Sequence, residues 1–381
     1  MIKKIFKLTI GIALIIFLKI IGLFVLIRIA HCHTGRIGHL CGNIDNYLSI
    51  RSSKEIAIFI KANHVSNKEI LKKWSQVSRI FFINRKFSWV FGSIHYVNSD
   101  SDHIISWEKE LSPKFHLNSI SPKNFYLSDE EVKKYRLNGD DFLNKKIICL
   151  HNRDEAYLKS IGSDGNFHKY RNFSFQDFRY TIDQLSSKNF KFVRIGRIVE
   201  NKYEGNYVDK TEENGSDYDD LMLIAKSEFI VGCNSGIETV SRILRKPQVL
   251  VNYIPFNPNE MIAWGSNSTM IFKRIYDEGL GRYLTFKEMF LLNMDFDIHH
   301  KGNYFKDNGL LVEDNTPEEI FDAIQEHIER MNGNWKDNKE QSRLQKDLKA
   351  SLSFNREFIE VFDKLGTRIS SKFLEKNKHL V

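Results

Sequence analysis

The sequence predicts an α/β protein with two Rossmann-like, doubly wound domains, a hydrophobic N-terminal helix and helices at the C-terminus. Three observations predict it. Short apolar runs alternate with amphipathic helical stretches over most of the chain, the pattern of βαβ units and a parallel sheet. The chain has 381 residues, about two domains' length. Leu8 to Ile27 is an apolar run broken only by Lys19, about the ~20 residues that span a bilayer. The expected organisation is a membrane-associating helix over 1–22, a Rossmann-like domain over 23–120, a second over 121–335, and a helical extension over 336–381. Ser112 to Pro122, with its two prolines and several Ser and Asn residues, reads as the linker between the domains.

The elements follow in order. Ile5 to Ile21 reads as a helix lying in the membrane interface, with Lys19 snorkelling. Leu23 to Ala30 is then the first buried strand, which the Gly-rich turn at Gly35–Gly38 needs in front of it. The alternative is a spanning helix with its N-terminus inside, because Lys3, Lys4 and Lys7 precede it. Ile56–Ile60 and Ile80–Ile83 read as strands, and Lys68–Val77 as a helix with Ile70, Leu71, Trp74 and Val77 on one face. In the second half, strands are expected at Lys146–Leu150, Phe190–Ile195, Glu228–Val231 and Gln248–Asn252. Helices are expected at Ser174–Ser187, Ser216–Lys226 and Ser235–Leu244. Thr316, Pro317 and Glu319 make a capping-box start for another helix. Asp337 to Leu374 reads as a long charged helical stretch packed on the body.

Composition narrows the function. Hydrophobic residues make up 42% and charged residues 27%, ordinary globular values that exclude disordered and collagenous chains. The net charge is +8, and six of those charges lie in residues 1–36, which hold no Asp or Glu. A nucleic-acid binder would need its basic stripe on the folded body. The excess at the N-terminus points to a membrane surface instead. Cys32, Cys41, Cys149 and Cys233 form no C-x-x-C pair, so neither a zinc site nor a disulfide framework is indicated.

Four motifs carry chemistry. Gly232-Cys233-Asn234-Ser235-Gly236 follows a strand and opens a helix, so its backbone amides and the helix end suit a phosphate. Gly236 allows close approach, and Asn234 or Ser235 can cap the helix and touch the anion. His151-Asn152-Arg153-Asp154 sits at a strand's carboxyl end. Arg153 can clamp a phosphate, and Asp154 can orient Arg153 or a sugar hydroxyl. Arg194, Gly196 and Arg197 end the next strand and are expected in the same crevice, a set that suits a departing diphosphate. Arg36, Gly38 and His39 form the first turn of the N-terminal half, with His39 a candidate general base. Asp295, Asp297, His299 and His300, and the pair Asp217 and Asp219, are weak metal patterns, so no metal is expected.

Together these residues resemble a bacterial family of glycosyltransferases from surface-polysaccharide loci. The matching pieces are Arg36-Ile37-Gly38-His39-Leu40, His151-x-Arg153-Asp154-x-x-Tyr157, Tyr170-Arg171-Asn172, and Ser216-x-x-x-Asp220. They continue with Phe229-Ile230-Val231-Gly232-x-x-Ser235-Gly236, Val251-Asn252-Tyr253-Ile254-Pro255, and Asp314-Asn315-Thr316-Pro317-Glu318-Glu319-Ile320. The Ser-Gly turn is remotely similar to the donor turn of heptosyltransferases. Glu238 departs from that pattern, which has an apolar or His-flanked stretch there. The resemblance implies a GT-B-like fold and metal-independent transfer from a nucleotide-sugar to a glycan or glycolipid, with no cofactor. His151, Tyr157, Asp220 and Glu238 would line the cleft. Because such donors are cytosolic, it also implies the cytoplasmic face of a bacterial inner membrane. Two alternatives stay open: pyruvyl transfer or sugar-nucleotide epimerisation on the same fold, and a non-catalytic membrane-bound sugar-binding protein.

Overall fold

The computed structural model describes residues 2–105, 123–136, 145–162, 168–254, 265–292, 303–353 and 356–381. The expected linker at Ser112–Pro122, the Asp295–His300 segment and Pro255 lie outside these residues. The fold is α/β with parallel sheets, as the alternating pattern predicts. The chain divides into two compact units, Met1–Tyr126 and Leu127–Val381.

The first unit holds a parallel sheet of β1 (Leu26–Cys32), β2 (Glu55–Lys61) and β3 (Ile80–Ile83), in that order. Its helices are α1 (Ile2–Gly22), α2 (Ile37–Ile50), α3 (Lys68–Trp74) and α4 (Ser88–Val97). The apolar N-terminal run therefore divides into a helix ending at Gly22 and the start of β1 at Leu26, later than the expected Leu23. Leu23 and Phe24 are 80% and 84% exposed in the turn between them. Helix α1 is part of this unit's packing. Leu18 is buried with Ile29, Ile60, Ile94 and Ile104, and Leu14 and Ile15 pack against that cluster. A Cβ on Gly11 would stand 2.3 Å from the Ser93 carbonyl oxygen, so only glycine lets α1 cross α4 this closely. Buried Thr34 ties the loop after β1 to the loop after β2: it donates to His64 O at 2.9 Å and accepts from Ala62 N at 3.1 Å.

The second unit is built on a seven-stranded sheet. Its strands are β4 (Lys146–Leu150), β5 (Phe190–Arg194), β6 (Val208–Asp209), β7 (Phe229–Gly232), β8 (Gln248–Tyr253), β9 (Thr269–Phe272) and β13 (Arg368–Ile369). The order is β13-β9-β8-β7-β4-β5-β6, every pair parallel. From β4 the chain winds one way through β5 and β6. It then returns to β7 on the other side and winds outward through β8 and β9. The direction reverses between β4 and β7, and doubly wound sheets bind ligands beyond the strand ends at such a point. A small antiparallel sheet of β10 (Arg274–Asp277), β11 (Arg282–Tyr283) and β12 (Leu310–Glu313) lies in the same unit.

Several motif residues turn out to build this frame. Asn252 N donates to Asn315 Oδ1, and Asn315 N to Asn252 Oδ1, both at 2.6 Å. This reciprocal pair fixes the end of β8, where Asn252 takes a φ of 51°, a conformation asparagine tolerates. The capping box of Thr316 and Glu319 opens the helix Pro317–Met331. The long C-terminal helix expected over Asp337–Leu374 is divided. Helices Lys339–Ser351 and Arg356–Leu365 are followed by Gly366 at φ 64° and then by β13, which joins the sheet edge.

Candidate active site

The loops leaving β4, β5 and β7 meet at the switch point. His151, just after β4, is the residue that links them. Its Nδ1 lies 3.2 Å from Ile195 O after β5, and its Nε2 lies 3.1 Å from Ser235 Oγ after β7. A carbonyl only accepts, so Nδ1 carries the ring proton. Nε2 is then the acceptor, and the Ser235 hydroxyl donates to it. Burial lowers the His151 pKa to about 4, so the ring stays neutral.

Gly196 makes room for this ring. Its φ is 130° and a Cβ there would press on His151 Nδ1 at 3.2 Å. The Gly196 amide donates to the Asp220 carboxylate from the helix Asp217–Lys226. Burial pushes the Asp220 pKa up to about 7, Asp217 and Asp219 push the same way, and the Gly196 amide and Arg197 oppose them.

The Gly232–Gly236 turn departs from expectation. Its amides at Cys233 and Ser235 are held by the protein's own Glu238, which accepts both at 3.1 Å, one on each carboxylate oxygen. Glu238 is fully buried. Burial pushes its pKa up to about 8, against the pull of the amides it accepts. A Cβ on Gly232 would lie 2.0 Å from Glu238 Oε1. A phosphate therefore does not find these two amides free. Ser235 and Gly236 are the half-exposed end of an otherwise buried turn. The helix that follows, Glu238–Ile243, is a short one.

Other expected site residues are placed as follows. Arg194 is 1% exposed, not crevice-facing. It donates to Asn201 O at 2.8 Å and Asn152 Oδ1 at 3.1 Å, and stacks over the Phe175 ring at 4.2 Å. Asn234 is buried and turns inward to donate to Ile254 O. The Asp154 carboxylate accepts from Ala156 N at 3.0 Å and Glu200 N at 2.9 Å. Arg194 and Asn234 are thus buried in the frame of the second unit. Arg197 is exposed and donates to Gly215 O at 2.7 Å. Arg153 is half-buried, and its Nη1 donates to His168 O and Asn172 Oδ1, both at 2.6 Å. Tyr157 is half-buried in the helix Ala156–Ser160.

Arg36, Gly38 and His39 lie in the first unit, at the start of α2. Arg36 is exposed, and the His39 ring meets His33 edge-on at 5.5 Å. Among the described residues no cluster of His, Cys, Asp or Glu is arranged to hold a metal ion. Asp217 and Asp219 occupy a helix first turn, where Ser216 accepts from Asp219 N. Sequence reasoning missed Lys273, buried between Asn172 O at 2.7 Å and Asp314 Oδ1 at 2.5 Å. The basic pair Lys273-Arg274 directly after the apolar stretch Met270–Phe272 was its signal.

No family model matches the chain, and no curated protein does. Among solved structures it is similar to the ADP-heptose lipopolysaccharide heptosyltransferase II of E. coli, at 12% identity over 80% of this chain and 100% of that one, TM-score 0.46. It is similar to a family 9 glycosyl transferase of Veillonella parvula, at 10% identity over 80% and 97%, TM-score 0.47. It is also similar to the iron-containing dodecameric glycosyltransferase TibC of enterotoxigenic E. coli, at 13% identity and TM-score 0.37. There it covers 61% of this chain and spans 59% of TibC. Likeness this distant leaves the chemistry of the site to its own geometry.

Proposed function

We propose that the protein is a glycosyltransferase moving a sugar from a nucleotide-sugar to a glycan or glycolipid acceptor. It would act at the cytoplasmic face of a bacterial inner membrane, in surface-polysaccharide or lipopolysaccharide synthesis. The observation that carries the reading is the His151–Ser235 hydrogen bond at the reversal point of the seven-stranded sheet. Three groups with displaced pKa values, half-buried His151 and buried Asp220 and Glu238, surround that point. Such clustering is typical of functional sites.

In this reading the donor lies over Ser235 and Gly236. The Ser235 proton goes to His151, so its oxygen is an acceptor toward a sugar or ribose hydroxyl. With the Cys233 and Ser235 amides taken by Glu238, the diphosphate charge falls to Arg153 and Arg197. The acceptor oxygen bonds to the anomeric carbon. The old bond to the diphosphate breaks, and its electron pair leaves with the phosphate. The acceptor's proton goes to a general base. No metal or cofactor enters the scheme.

A thermal-shift screen of UDP-, GDP-, CMP- and ADP-sugars tests it. One nucleotide class should stabilise the protein, and Gly236→Val should abolish that shift while the fold survives. Unchanged donor affinity in a folded Gly236→Val protein would defeat the reading. Product analysis with a labelled donor separates transfer from epimerisation.

A further inference from the structure

We infer that α1 and α4 together form a platform that lies flat in the interface of an anionic lipid leaflet. This deepens the membrane part of the proposed function and is independent of the sugar chemistry.

Helix α1 has two unlike faces. Gly11, Leu14, Ile15 and Leu18, at helical spacing, meet α4 and the core of the first unit. Ile5, Thr9, Ile12, Ile16 and Ile20 run along the opposite face, with Phe6, Ala13 and Phe17 beside them, and all are exposed. Thr9 is the one polar side chain there, and its hydroxyl donates to Ile5 O at 3.0 Å. Its hydroxyl proton is therefore satisfied within the helix, as lipid requires. Lys4 and Lys7 continue the domain-facing stripe toward the N-terminus. With the apolar face down in lipid, they sit at headgroup level.

A spanning α1 does not fit this packing. Gly11, at its midpoint, is locked against Ser93, and Leu18 is in the core. Crossing a bilayer would draw α4 and β1 into hydrocarbon with it. Helix α4 adds to the same surface. Trp89 and Tyr96 stand one turn before and after Ser93, on the stripe that meets α1, and each is half exposed. Amphipathic aromatics of this kind favour the lipid–water boundary. Leu23 and Phe24 extend the apolar surface past the end of α1. An exposed apolar helix face of this length on a folded unit marks a contact surface. The flanking lysines make anionic lipid its occupant, not a second copy of the same basic face.

The test uses the full chain and vesicles of phosphatidylcholine and phosphatidylglycerol. The native cysteines are all buried, so nitroxide labels go on Ile5→Cys, Ile12→Cys and Ile20→Cys. A flat helix puts the three labels at one depth. A spanning helix spreads them over about 22 Å at 1.5 Å per residue, which would overturn the inference. Trp89→Ser with Tyr96→Ser should weaken vesicle binding about tenfold. No change would remove α4 from the platform. No vesicle binding, or dimerisation through this face, would overturn the whole. The nucleotide-sugar thermal shift, read in the same samples, reports the sugar reading separately.

Discussion

His151 is kept neutral because the ring is packed in where protonation would cost solvation, and Arg194 and Arg153 nearby add to that cost. The unfolded chain takes up this proton near pH 6.5 and the native protein only near 4. Between those values the unfolded state binds more protons, so this contribution to stability rises with pH. It is complete above about 6.5 and lost as pH falls toward 4. His151→Gln should therefore flatten the slope of Tm against pH in that window by about 3 °C per pH unit, and differential scanning fluorimetry checks it. At Gly232 the expected effect is larger. Gly232→Ala pushes on Glu238 Oε1 and leaves the amides of Cys233 and Ser235 unmet, costing about 3 kcal/mol. A urea midpoint equal to that of the natural protein would refute the clamp. Polar residues at strand ends were legible, because a parallel sheet leaves such residues where a ligand binds. The Glu238 clamp was half legible, since Ser235-x-x-Glu238 has capping-box spacing. Arg194 and Asn234 were misread, because the sequence marks a polar residue near a site without saying which way its side chain turns.

At the scale of elements, the loop His168–Asn172 decides what Arg153 can do. Arg153 and Lys273 both hold it, through Asn172 Oδ1 and Asn172 O. If Arg153 carries transition-state charge, Arg153→Ala should lower turnover about 10²–10³-fold. Asn172→Ala, which removes one of the two acceptors of Arg153 Nη1 but keeps the guanidinium, should lower it less than tenfold. Equal losses in steady-state assays would mean that Arg153 only braces the loop. Helix α1 makes a second case. The apolar run was legible as a helix, because its length and composition are unmistakable, but its packing on α4 was not. Gly11 marks that contact, and a lone glycine among isoleucines gives no hint of its partner. Leu18→Ala should cost about 2–4 kcal/mol in denaturation, as for a core residue. A free membrane anchor would lose nothing. The strand β13 was hidden for a related reason: two residues carry no period of their own, and only pairing with β9 makes them a strand.

Over the whole molecule, the excess of positive charge is concentrated at the N-terminus. Six of the eight net positive charges fall within the first 36 residues, but the fold does not leave them all to lipid. Arg28 is drawn into the first unit, donating to Asp102 O at 3.0 Å and Ile104 O at 3.1 Å, with Glu55 3.8 Å away. Lys4, Lys7 and Lys19 remain exposed along α1, and two of them sit together on the domain-facing side. A basic residue at an anionic surface is worth about 1 kcal/mol, and tenfold in affinity is about 1.4 kcal/mol. Lys4→Gln with Lys7→Gln should then weaken binding to anionic vesicles roughly 30-fold at low salt. Binding to neutral vesicles should hardly change, because the apolar face is intact. High salt should bring the natural protein close to the variant, since exposed charges are screened within a Debye length. Sedimentation with vesicles of graded phosphatidylglycerol content reads all three. A variant that binds anionic vesicles as tightly as the natural chain would mean that apolar burial alone holds the platform, and the lysines would then not select the leaflet.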